Sequence, residues 1–267
     1  MQITLIRNGK HDKNGHLTHD GIEDGIGAGF LLGNAAVGQQ FKVPQVDWVL
    51  LHDDGNIAPI YSLPAQYQCP VQIPDLILTS SELPAKEMGF AVWEQLKHAH
   101  IKPDIRYNIA YLNKFVSDDY KIDQYGCIDS KVAEKLYASK QIQDTIGFIQ
   151  RLEKEGKQHV VIISAEPNIH ILLNLLGSED IVKSVSKNGI AYTFFSVNAD
   201  KIGKEKYLCQ RRYLKSGMIR NSFLNNSILG GMYVESISDI EWKMPDFLFI
   251  DRMQHLNKLR QNDKQRG

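Results

Sequence analysis

The chain has 267 residues, 43% hydrophobic and 23% charged, which suits one large globular domain or two small ones and excludes a wholly disordered chain. Lysine plus arginine and aspartate plus glutamate both number 31, so the formal net charge is zero and no global basic field exists to gather nucleic acid or an anionic membrane. Cys69, Cys127 and Cys209 are far apart and form no CxxC, no signal-peptide pattern follows Met1, and no apolar run reaches the ~18 residues of a membrane span. Free thiols in a reducing, cytoplasmic setting are the expectation.

Residues 3–6 are apolar or β-branched and run into Arg7, Asn8 and Gly9, the pattern of a buried strand that stops at a site. A polar loop follows from residue 10 to residue 16. Gly21, Gly25, Gly29 and Gly33 then recur every four residues among Ile22, Ile26, Phe30 and Leu31. On a helix that spacing aligns the glycines on one face and permits close approach to a sheet or another helix. Each glycine lowers helix propensity by about 1 kcal/mol, so packing has to compensate. A dinucleotide loop does not fit, because the glycines lie well past the turn that leaves the strand. A membrane helix pair does not fit either, because Glu23 and Asp24 sit inside the stripe.

Residues 46–61 alternate around Asp53, Asp54, Gly55 and Asn56, a hairpin signal. Pro64, Pro70 and Pro74 lead to a second apolar strand over 76–79. Ser80 and Ser81 end it, and a helix is predicted over 82–98 with Ser81 as N-cap. Residues 101–125 read mostly as loop. Helical spacing of Val132, Ala133, Leu136, Tyr137, Ile142, Ile146, Ile149 and Leu152 predicts one helix over 130–155, ended by Gly156. Residues 160–163 are apolar on both faces, as in a central parallel strand. Pro167 opens a helix through Leu176 that Gly177 stops. Asn188 and Gly189 precede a strand over 190–197, with 206–213 as its partner.

Strands alternating with helices predict an α/β fold of three layers, α/β/α, around a mostly parallel sheet. The predicted domain covers residues 1–215, with a hairpin insertion at about 34–74. Beyond 215 the composition shifts toward Asn, Ser and Gly. Residues 216–267 form a C-terminal extension, read as an interface for self-association or as an irregular wrap, with a fraying end.

In an open α/β sheet, ligands sit outside the carboxyl ends of the strands. Three strand ends follow: Arg7-Asn8-Gly9, Ser80-Ser81 and Ser164-Ala165-Glu166. The first, with Leu17-Thr18-His19-Asp20-Gly21 behind it, resembles the opening of the histidine phosphatase (phosphoglycerate-mutase-like) superfamily. Ser80-Ser81-Glu82-Leu83-Pro84-Ala85-Lys86 resembles its middle element. The late strand with Ser164, Ala165 and Glu166, the Leu-rich helix behind it, and Asn188-Gly189-Ile190 are similar to its closing elements, all in the family's order. The resemblance implies the α/β/α fold over about residues 1–215.

It also implies a chemistry in which one histidine attacks phosphorus, two arginines bind phosphoryl oxygens, a second histidine stabilises the transition state and a carboxylic acid protonates the leaving group. Of the basic quartet only Arg7 remains. Asn8 stands at the nucleophile, Ala85 at the second arginine and Ala165 at the second histidine. Lys86, one position along, lacks the planar fork that grips two oxygens. Asn108 and Asn113 stand near the acid, with Glu82, Asp118 and Asp119 as substitutes.

An amide nitrogen such as that of Asn8 has no available lone pair, so it is no nucleophile. Glu166 brings a negative charge to the pocket mouth, and like charges ~4 Å apart repel by about 4 kcal/mol at an intermediate dielectric. Three functions stay open: a pseudophosphatase that binds or scaffolds, a repurposed enzyme using Glu166 as acid or base with Arg7, Lys10 or His11, and an active phosphatase borrowing His16 or His19. The ligand-binding set is Arg7, Asn8, Lys10, Ser81, Lys86 and Glu166, for a small polar or anionic ligand or a protein partner. No cofactor is expected, and no nucleic acid or membrane partner. No metal is expected either, since His98 and His100 fall on different helix faces. Asp53 and Asp54 read as a hairpin tip, His170 as a packed, hydrogen-bonded histidine, and Tyr207 to Tyr213 with Arg211 and Arg212 as a solvated strand edge.

Overall fold

The computed structural model describes residues 1–40, 50–51, 57–58, 71–113, 130–177, 189–207 and 209–214. Along the chain these form β1 (Gln2–Arg7), α1 (His19–Gln40), β2 (Leu50–Leu51), β3 (Ile57–Ala58), β4 (Leu76–Thr79), α2 (Leu83–His98), β5 (Asp104–Arg106), α3 (Ser130–Tyr137), α4 (Lys140–Lys154), β6 (His159–Ser164), α5 (Glu166–Leu176), β7 (Gly189–Phe194) and β8 (Cys209–Leu214). Six strands make one sheet in the order β5-β4-β6-β1-β7-β8. The first four run parallel, and β7 and β8 close the edge antiparallel.

Alternation along the central strands builds the two outer layers. Ile6, Ile77, Val161 and Ile163 face one core with the apolar side chains of α1 and α2. Ile3, Leu5, Leu76, Leu78, Val160 and Ile162 face the other, with α4 and α5. β1 and β6 are buried along their whole length, as central strands covered on both faces must be. The fold is therefore a three-layer α/β/α sandwich around a mostly parallel sheet, as the alternation of elements implied.

The glycine stripe is the contact face of α1. A Cβ on Gly25 would lie 2.8 Å from the Ala91 Cβ, and one on Gly29 would lie 2.8 Å from the Val92 carbonyl oxygen. Only glycine lets the two helices approach this closely, and the packing offsets the propensity lost.

Several boundaries differ from expectation. The helix over 130–155 is two helices, because the Ser139 side chain accepts the Ile142 N–H and caps α4. An apolar stripe continues across such a break, so periodicity alone conceals it. Ser81 is not the cap of α2; that position is Glu82, with no side-chain cap bond. The Ser81 hydroxyl and amide N–H instead both donate to Asn113 Oδ1, at 2.8 Å. Within the stretch expected as loop, β5 adds a short edge strand and residues 110–112 form a 3-10 turn. β7 ends at Phe194 rather than 197. α1 runs to Gln40. β2 and β3 pair antiparallel, Leu51 with Ile57, while the tip carrying Asp53 and Asp54 lies outside the described residues. The extension over 216–267, with Cys69, Cys127, Asp118 and Asp119, also lies outside them. Arg211 and Arg212 belong to β8, the edge strand of the sheet.

Candidate functional site

The site forms because the two central strands end together. In the parallel register Arg7 stands opposite Ser164, and the Asn8 N–H donates to the Ser164 carbonyl at 2.9 Å. Arg7 and Glu166, 159 positions apart in sequence, thus meet at the carboxyl edge of the sheet. The chain leaving β1 is held by backbone contacts. A Cβ on Gly9 would lie 2.6 Å from the Gly21 Cα, and one on Gly21 would strike the Lys10 carbonyl oxygen. Thr18 donates to that carbonyl through both its N–H and its hydroxyl, at 2.9 and 3.1 Å.

The loop between is a turn organised by Asp12, whose carboxylate accepts the Asn14 and His16 amides at 2.8 and 3.0 Å. Burial pushes the Asp12 carboxyl up, but these bonds and the adjacent His16 outweigh it and hold its pKa below the ordinary value. Behind the loop, Glu87 is fully buried. One of its oxygens lies 2.8 Å from His16 Nδ1, and the other accepts the Leu17 N–H at 2.7 Å.

A cleft of about 680 Å³ opens at this edge. β1 and its following loop contribute Arg7, Asn8, Gly9, Lys10, His11 and Gly15; α1 contributes Asp24; the start of α2 contributes Glu82 and Pro84; the start of α5 contributes Ala165, Glu166 and Pro167. The deciding contact is between Arg7 and Glu166, with Nη1 donating to Oε1 at 2.7 Å. The Arg7 side chain is 10% exposed and that of Glu166 is 55% exposed. The same Glu166 oxygen is 3.6 Å from His170 Nε2, one helical turn along α5. Lys10 points outward to Asp20 at 3.2 Å. Among the described residues the lining thus carries two cations, Arg7 and Lys10, against three carboxylates, Asp24, Glu82 and Glu166.

Of the residues singled out from the sequence, Arg7, Asn8, Lys10 and Glu166 share the cleft, with Ala165, Glu82 and His11 beside them. Ser81 and Lys86 are not among its lining residues, because Ser81 turns to Asn113 and Lys86 sits further along α2. Ala85 is fully buried in the core under α2. His16 is engaged by Glu87, and His19 stands exposed at the start of α1. His170 Nε2 lies beyond hydrogen-bond distance of Glu166, and among the described residues its buried Nδ1 has no hydrogen-bond partner.

Neither a family model nor a curated protein matches the chain. Among solved structures, it superposes on the protein histidine phosphatase SixA complexed with tungstate, with a TM-score of 0.43 and 14% identity. The alignment covers 82% of this chain and 99% of that one. A likeness this distant carries no functional information.

Asp24 is the cleft residue that sequence reasoning passed over. It is 5% exposed, and its signal was a carboxylate inside an otherwise small and apolar helical run. Among the described residues, no group of three or more His, Cys, Asp or Glu side chains is placed to hold a metal ion, and no helix is long and apolar enough to cross a membrane.

Proposed function

We propose that this protein is a non-catalytic binding protein of the cytoplasm, a pseudophosphatase on a histidine-phosphatase-like frame. The observation that carries this reading is the Arg7–Glu166 ion pair at the paired ends of β1 and β6. Phosphoryl transfer needs concentrated positive charge facing the transferring group and a nucleophile held in line with it. At these strand ends the guanidinium is matched by a carboxylate instead, and the flanking positions hold an amide, Asn8, and a methyl group, Ala165. His11 lines the cleft from the exposed loop after β1, where its backbone bridges to Leu17 and its Nδ1 lies 3.4 Å from the Gly9 carbonyl. Such a pocket retains the means to bind a polar group and lacks the means to exchange a phosphoryl group.

A second reading, a repurposed acid–base enzyme, is favoured by one observation: Asp24 places a nearly buried carboxylate on the cleft wall. The test is turnover of p-nitrophenyl phosphate by the purified chain. The expected result is no hydrolysis above background and no change on Arg7→Ala. Hydrolysis that Arg7→Ala abolishes would overturn the non-catalytic reading.

A further inference from the structure

We infer that the cleft is a gated oxyanion site whose gate is Glu166: its carboxylate is the resident ligand of Arg7, and an incoming oxyanion binds by displacing it toward His170. This rests on the binding reading above and adds to it the class of ligand and the residue that controls its entry.

Three observations lead there. A guanidinium nine-tenths buried at the carboxyl edge of a parallel sheet is suited to grip two oxygens of one anion at once. It stands beside the first turn of α5, where the aligned peptide dipoles also favour negative charge. The anion it now holds belongs to the protein, and it sits on a side chain more than half exposed. Glu166 can leave the pair for water at little cost while the incoming anion takes over the buried charge of Arg7, so a competing anion meets little resistance.

The displaced carboxylate has a place to go. His170 Nε2 already lies 3.6 Å from Glu166 Oε1, one helical turn along α5, and is the partner the displaced carboxylate would take. The cleft is also much larger than a single oxyanion, so the ligand carries its oxyanion on a larger polar body. The lining carboxylates Asp24 and Glu82 disfavour a highly charged ligand, which makes a single carboxylate or phosphoryl group the fitting anchor.

The experiment is titration of the full chain with inorganic phosphate, and in parallel with acetate, by isothermal calorimetry. Glu166→Ala should tighten at least one of the two by about tenfold, the size of effect expected from removing a like charge that solvent screens, since the Glu166 side chain is more than half exposed. Tightening of acetate alone identifies a carboxylate anchor, and tightening of phosphate identifies a phosphoryl one. Combining Glu166→Ala with Arg7→Lys, which keeps the charge but not the fork, should cancel most of the gain. His170→Ala should weaken binding to the chain that retains Glu166 and leave the Glu166→Ala chain unmoved. Unchanged affinity for both anions in a folded Glu166→Ala protein would overturn the gate. That result leaves the non-catalytic reading intact, because the latter is overturned by Arg7-dependent turnover or phosphoryl transfer and not by an anion affinity.

Discussion

The two edges of the sheet each carry a titratable side chain in a polar network, and the networks differ in kind. At the amino edge, His159 is fully buried and both of its ring nitrogens are bonded. Nδ1 lies 2.7 Å from the Gln72 carbonyl and Nε2 lies 2.8 Å from the Thr4 hydroxyl. A carbonyl can only accept, so Nδ1 carries the proton and Nε2 accepts from Thr4, which in turn accepts from Thr193 at 2.8 Å. The His159 amide is bound by Asp75. At the carboxyl edge, Arg7 and Glu166 face a cleft, and one partner is more than half exposed. A closed chain of neutral hydrogen bonds leaves nothing for a ligand to replace and serves the fold. An ion pair at a cleft mouth contributes little to the fold and can be exchanged.

Substitution at the two edges should separate stability from binding. The largest effect is expected at His159→Leu, which removes one buried partner of the Thr4 hydroxyl and the ring partner of the Gln72 carbonyl and should cost about 3 kcal/mol in urea unfolding. Acid should expose the same residue. Burial lowers the His159 pKa to about 4, against opposing contributions from the Gln72 bond and the Asp75 charge. The unfolded chain takes up this proton near pH 6.5, so between those values it binds more protons than the folded chain. Stability should therefore be complete above pH 6.5 and fall by about 3 kcal/mol as pH drops toward 4. A His159→Gln variant should lack that component in unfolding curves collected across the window.

Glu87 lies between the extremes. It sits on the cleft side of α2 but is sealed behind the loop, so Glu87→Gln should destabilise by about 2 kcal/mol, read by the same unfolding assay. Glu166→Gln should be the mildest, costing less than about 1 kcal/mol. A Glu166 variant that unfolds as readily as His159→Leu would erase the distinction between the edges.

Legibility in the sequence follows the same division. The central strands were legible because residues 160–163 are apolar on both faces, and a close-packed face on α1 because four glycines repeat at helical spacing, although not which element would meet it. β5 was not, since its Asp104 and Arg106 are exposed and its three residues are too few to show a period. The break at Ser139 was hidden because α3 and α4 keep apolar residues in phase on both sides of it. Arg7 and Glu166 each drew attention as strand-end residues, but their contact depends on the β1–β6 register, which only the folded sheet defines. Asp24 was concealed by its setting, because a helix read as a packing stripe gives no reason to expect one of its carboxylates on a cleft wall.

The most direct measurement of the central claim is intact-mass spectrometry of the purified chain after incubation with a reactive phosphoryl donor such as acetyl phosphate. A non-catalytic cleft with Asn8 and Ala165 at its strand ends should yield no acid-labile phosphoryl adduct. An adduct on a cleft histidine such as His11, lost when Arg7 is replaced by alanine, would contradict the account.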